Sequence, residues 1–112
     1  LATTYKILGQ NRYAAGANTF ETVYTVPAAT SAVVSTLSVT NTTPSAYTMR
    51  ICIVKSGESP SANNALIYDA SFAANSVTPF TIGITLGTGD SIRVASSMSG
   101  WSVVHVFGSE IA

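Results

Sequence analysis

Two runs of alternating side chains constrain this chain more tightly than any other feature of its sequence. Residues 33–41, VVSTLSVTN, place Val33, Leu37 and Val39 on one face and Thr36, Ser38 and Thr40 on the other. That is the two-residue period of a strand with one buried face. Residues 47–55, YTMRICIVK, repeat it with Tyr47, Met49, Ile51 and Ile53 inward and Thr48 and Arg50 outward. Between them Asn41-Thr42-Thr43-Pro44-Ser45 carries turn chemistry, so the two runs are expected to be antiparallel neighbours joined by a turn.

Shorter runs extend the pattern. TTYKIL at 3–8 and FETVYTV at 20–26 flank a loop, and Pro27 closes the second run. ALIYDASF at 65–72 is another apolar run, although ANNALIYDASFAA also has the length of two helical turns. FTIGITL at 80–86 meets Gly87-Thr88-Gly89-Asp90, which reads as a hairpin turn into SIRVAS at 91–96. Ser99-Gly100 then turns the chain into a last strand, WSVVHVFG. Fifteen Ser and fifteen Thr supply most of the polarity, and Thr, Val and Ile fit a pleated sheet better than a helix. At 112 residues the chain can bury one modest core. The expected fold is all-β: a single antiparallel β-sandwich or jelly-roll-like domain of seven or eight short strands over residues 1–112, with residues 1–8 as an N-terminal arm or edge strand.

Charge narrows the function classes. Charged residues are 9% of the chain against a usual ~25%, and five basic residues balance five acidic ones. Such a chain has no field to steer it to nucleic acid or an anionic membrane, and neither is expected as a partner. A single cysteine, Cys52, excludes an internal disulfide and a multi-thiolate metal site. No run approaches the ~20 apolar residues of a membrane helix, and LATTYKILGQ lacks a basic leader region. A soluble chain without a secretory leader is therefore expected. Near-zero net charge, with few charges to guard strand edges, suits a subunit that neighbours cover, and equally a neutral soluble monomer.

No catalytic, cofactor or metal site is expected. His105 is the one histidine and lies in an apolar strand, with no nucleophile elbow anywhere in the chain. Cys52 sits between Ile51 and Ile53, where packing is a better account than a thiolate. Glu21, Glu58, Asp69, Asp90 and Glu110 are scattered singly, without a sequence-local acid pair. Asn41-Thr42-Thr43 fits a glycosylation triplet, which Thr-rich chains produce by chance. An indole and phenols on a sandwich surface can hold a sugar face, so Trp101, Tyr13, Tyr24 and Tyr68 form a candidate glycan platform.

Read in order, TTYKILGQ, YTVPAATSAVVSTLSVTN, YTMRICIV, GITLGTGDSIRV and the closing VFGSEIA form a succession that covers nearly the whole chain. It resembles small bacteriophage virion structural proteins, frequent in phages of cyanobacteria and other aquatic bacteria, labelled capsid decoration or cement proteins or tail-fibre-like proteins. The resemblance implies a non-enzymatic subunit made in the host cytoplasm and placed on the particle surface. Its partners would be copies of itself, as a trimer rather than a dimer, and the major capsid protein or another virion protein. A tail-associated receptor- or glycan-binding module is the alternative. The candidate assembly contacts are the N-terminal segment Thr3, Thr4, Tyr5, Lys6, Ile7 and Leu8, which can add as an edge strand, and the loop Ser56, Gly57, Glu58, Ser59, Pro60, Ser61, Ala62, Asn63 and Asn64.

Overall fold

The computed structural model describes residues 2–98 and 102–112. Among the described residues, nine strands make two antiparallel sheets: β1 (Thr3–Arg12), β2 (Glu21–Thr25), β3 (Ser31–Asn41), β4 (Tyr47–Val54), β5 (Ala65–Phe72), β6 (Ser76–Phe80), β7 (Ile84–Leu86), β8 (Ser91–Ser96) and β9 (Ser102–Ile111). One sheet runs β1-β9-β3-β6, with β7 also paired to β3, and the other runs β2-β8-β4-β5. This order, in which the chain repeatedly crosses between two facing sheets, is that of a jelly-roll sandwich. Helix among the described residues is confined to one 3₁₀ turn at Ala62–Asn64, so ALIYDASF is a strand and not a helix. The expected FTIGITL strand holds only Phe80, the last residue of β6, and all of β7, so the seven or eight strands expected become nine among the described residues.

The core lies between the sheets and is made by alternate residues of both. Val34, Leu37, Val39, Val104 and Val106 from one sheet meet Met49, Ile51, Ile92 and Val94 from the other, all fully buried. Tyr47 is buried with them and packs at a tilt of 42° against Phe72, ring centroids 6.3 Å apart.

Two expectations about the best strands need correction. β3 and β4 are not partners: β3 bonds β6, β7 and β9, while β4 bonds β5 and β8. The 42–46 connection crosses from sheet to sheet, and both strands turn their apolar faces to the same core from opposite sides. Alternation reports which face is buried, and it is the same whether two strands lie side by side or face each other. The second correction is Val33, which is 37% exposed instead of buried. Register with β9 shifts between Val34 and Thr36, so Ser35 is an extra residue and the inward set changes parity from Ala32 and Val34 to Leu37, Val39 and Asn41. In β4, Ile53 is only partly buried at the core margin, and Cys52 and Val54 are buried on the opposite face. The 56–64 loop folds over that face, bringing the Ser61 carbonyl within 3.4 Å of Cys52 Sγ.

The loops are held by buried polar groups. Asn41 is 1% exposed; its amide donates to the carbonyls of Ser45 (2.9 Å) and Ala73 (3.0 Å) and its oxygen accepts the Thr43 N–H (2.9 Å). The Asn41 triplet is therefore a structural knot, with no free amide for a glycan. Gly87-Thr88-Gly89-Asp90 is a corner between sheets and not a hairpin, because β7 and β8 belong to different sheets. Gly89 takes φ +84°, and a Cβ there would stand 2.5 Å from Ser56 Oγ.

The parity change in β3 can be measured. Leu37→Ala should cost about 2 to 5 kcal/mol, whereas Val33→Ala should cost less than about 1 kcal/mol, both read from urea unfolding. Equal costs would contradict the bulge at Ser35. Asn41→Ala removes the amide that ties the Ser45 and Ala73 carbonyls together and the acceptor of the Thr43 N–H, and should cost about 1 to 3 kcal/mol in the same assay.

Candidate assembly surface

The N-terminal candidates fall on β1, an edge strand of the larger sheet. Its register with β9 is unbroken from Thr3↔Ile111 to Ile7↔Phe107 and shifts between Ile7 and Gly9. Tyr5 is 83% exposed and Ile7 56% exposed, whereas Leu8 is buried in the core. Cross-strand rows carry the apolar character inward from the edge: Tyr5, Ser109 and Val33 form one row, and Ile7, Phe107 and Thr36 the next. Val33 and Phe107 were not picked out as surface residues in the sequence, because the bulge that exposes Val33 is invisible to simple alternation. Exposed Val77 on β6 extends the apolar character of the same sheet toward its other side.

Beneath this edge a charged group joins the two sheets. Glu110 on β9 accepts a hydrogen bond from the Tyr24 hydroxyl of β2 (2.6 Å) and pairs with Lys6 of β1 (2.6 Å). The Glu110 side chain is 13% exposed and that of Lys6 45%. The bond from Lys6, and after it the bond from Tyr24, hold the Glu110 carboxyl below its ordinary range. Burial, the hydrogen bond to Glu110 and its negative charge push the Tyr24 phenol well above its ordinary value.

The loop candidates lie at the same end of the sandwich as Thr3 but on the other layer. In the larger sheet that end is marked by Ser31, Ile111 and Thr3, and in the smaller by Thr25, Ser91 and Val54, after which the loop begins. A polar depression of about 430 Å³ is lined by Ile53, Lys55, Glu58, Ser59, Ser61, Asn63 and Asn64. Ser61 and Asn64 cap each other around the 3₁₀ turn: the Ser61 N–H donates to Asn64 Oδ1 at 3.0 Å, and Ser61 Oγ accepts the Asn63 N–H at 3.2 Å. The two candidate segments thus do not form one continuous surface.

The glycan platform is not assembled. Tyr13 is fully buried, its hydroxyl placed 2.7 Å from the Gly16 carbonyl and 2.6 Å from that of Thr19. Tyr24 is buried against Glu110. Tyr68 is 45% exposed, but the Arg50 guanidinium covers one face at 4.4 Å, itself held by Asp69 at 2.7 Å. Trp101 lies outside the described residues. Two of the four rings therefore serve the fold instead of a ligand.

The residues weighed for chemistry are occupied in other ways. His105 lies on the outer face, stacked on Phe107 at 5.8 Å and 9°, with its Nε2 3.1 Å from the Gln10 amide nitrogen. Cys52 is buried and burial pushes its thiol up, away from thiolate. Glu21 accepts the N–H groups of Ala14 (3.1 Å) and Ala15 (2.6 Å) and so shapes a loop. Among the described residues, no group of three or more His, Cys, Asp or Glu side chains is placed to hold a metal ion.

No protein-family profile matches the chain, and no curated protein matches it. Among solved structures it is similar to a chain in the structure of infectious bursal disease virus, Gx strain, with a TM-score of 0.53 and 14% identity over 97% of this chain. The match covers 32% of the viral chain, so this chain spans about a third of that length. At that identity the likeness is one of fold.

The Glu110 link gives stability a definite pH dependence. A carboxyl held low contributes stability above its unfolded value of about 4.3 and loses it as pH falls through the folded value. A phenol held high contributes below about 10 and loses stability as pH rises beyond that. Urea midpoints should therefore drop on both sides. Glu110→Gln should flatten the acid limb, leaving a component from Asp69, which Arg50 also holds low, but reduce the alkaline limb only in part, because burial is the largest cause of the Tyr24 shift and also raises Tyr47 and Cys52. An acid limb unchanged in Glu110→Gln would show that the link does not couple to folding.

Proposed function

We propose that this chain is a virion structural protein: a subunit, not an enzyme, that lies on a viral particle in contact with neighbouring subunits. The observation that carries the reading is the outer face of the larger sheet. There an open edge strand adjoins exposed Tyr5, Ile7, Val33 and Phe107, in a chain with only 9% charged residues. Apolar and hydroxyl-bearing surface can be covered by a neighbour without the cost of stripping water from charges. The fold likeness to a chain of a virus supports the same reading, as does the resemblance to phage virion proteins.

Within that class the reading is a bacteriophage capsid decoration or cement subunit. It would associate with copies of itself and with the major capsid protein, and brace the shell from outside. The tail-associated, receptor- or glycan-binding module is the other outcome of the test. Labelled antibody against the protein should mark the whole head, and labelling confined to the tail tip would select the alternative.

Purified protein should bind phage heads assembled without it and raise the temperature at which they open. Deleting residues 1–8 is a poor probe of this contact, since it would strip ladder bonds and the Lys6–Glu110 pair from the domain itself. Ile7→Asp and Val77→Asp change exposed side chains only. Each should weaken head binding by roughly tenfold with little change in the protein's own melting. A protein that ignores heads and adheres to host cells or glycans would overturn the decoration reading.

A further inference from the structure

A strand edge is a template for another strand, and the four edges of this sandwich are not equally open. β2 has five residues and loses register between Thr22 and Tyr24. β5 loses register twice along β4 and holds Asp69 at φ +59°. β6 has five residues, including Pro79, which has no N–H to donate. β1 is regular from Thr3 to Ile7. Its one charge in that run, Lys6, is turned onto Glu110 at 2.6 Å and so does little to guard the edge.

Backbone geometry says which groups are on offer. Ala2 and Ala112 exchange both of their backbone hydrogen bonds, each 2.9 Å. Such pairs alternate along an antiparallel ladder, so Thr4 and Lys6 point their N–H and C=O groups at Glu110 and Gly108. Thr3, Tyr5 and Ile7 point theirs at the free edge.

We propose that this edge binds the same edge of a second copy, antiparallel, about a two-fold axis at Tyr5. Thr3 then pairs with Ile7 of the second copy, Tyr5 with its own counterpart, and Ile7 with Thr3 of the second copy. Two observations select the occupant and the register. The regular run has three outward-bonding residues and ends at the shift after Ile7, so it is symmetric about Tyr5, and this centre engages all three. Charge points the same way. A centre at Lys6 would set like charges face to face, whereas the Tyr5 centre sets Lys6 against Thr4 of the second copy, in the cross-strand row that holds Glu110 of that copy. On the outer face the pairing joins Tyr5 and Ile7 of both copies, with Val33 and Phe107 behind them, into one apolar band across the axis. The contact is isologous and closes at two copies, which makes a dimer and not the trimer that a threefold lattice position invites. This deepens the assembly reading and rests on it for its place in a particle.

The test is a charge exchange at the axis, read by analytical ultracentrifugation of the whole chain. Wild-type protein should dimerise, Tyr5→Lys and Tyr5→Glu should each weaken the dimer by on the order of tenfold or more, and an equimolar mixture of the two should recover it. Recovery requires that position 5 faces position 5. Tyr5→Pro is a second variant: it removes an N–H that the domain itself does not use, and should abolish pairing while the circular dichroism spectrum stays that of wild type. A wild-type chain that is monomeric at millimolar concentration, or a mixture no tighter than either variant alone, overturns the proposal. Monomers that still bind phage heads would overturn this pairing and leave the virion reading intact, and dimers that bind no head would do the reverse.

Discussion

The backbone of Gly108 lies so close to the Val33 carbonyl that a Cβ at position 108 would overlap it, and much of the larger sheet depends on that approach. β3 is bonded on both sides, to β9 and to β6 with β7. Where it passes Gly108 it takes up Ser35 as an extra residue and changes which parity faces the core. Without that change, Leu37 and Val39 could not share the core with Ala32 and Val34. The same step turns Val33 outward into line with Tyr5 and Ser109. One close backbone contact therefore shapes both the packed interior and the surface read here as a place for partners.

The class of fold was legible from periodicity, and the pairing of strands was not. Leu37, Val39 and Ile51 are fully buried as their spacing requires. Yet the two strongest strands face each other across the core instead of sharing a ladder, because alternation carries no information about lateral neighbours. The signals for the irregularities were present in the glycines. Gly9 and Gly108 both sit inside strands, both mark a register shift, and a Cβ at Gly9 would come within 2.6 Å of the Val23 carbonyl. Glycine inside an alternating run is a reason to expect a bulge and to recount parity beyond it.

Of the candidate surface, the strand period of TTYKIL was legible in the sequence, whereas its place at a sheet edge follows from its pairing with β9 alone. The tyrosines show why the rest was not. Tyr5, Tyr13, Tyr24 and Tyr68 are the same residue in similar local contexts. One is open to solvent, one ties a loop from inside, one binds a carboxylate between sheets and one lies under an arginine. Their fates depend on partners more than 80 residues away in one case and on loop geometry in another. Spacing along the chain does not encode either.

The order β1-β9-β3 also has a kinetic side. The last strand of the chain is the only link between the first and the third within their sheet, so neither the β1 edge nor the core half of β3 has its full set of partners until residues 102–111 are in place. Closing that arrangement joins segments nearly a full chain length apart, and such topologies fold slowly for their size. During synthesis β1 must wait, without its ladder partner, until residues 102–111 have been made. The ribosome and its chaperones therefore meet this chain as an incomplete sheet, with the same open strand edges that lead to aggregation.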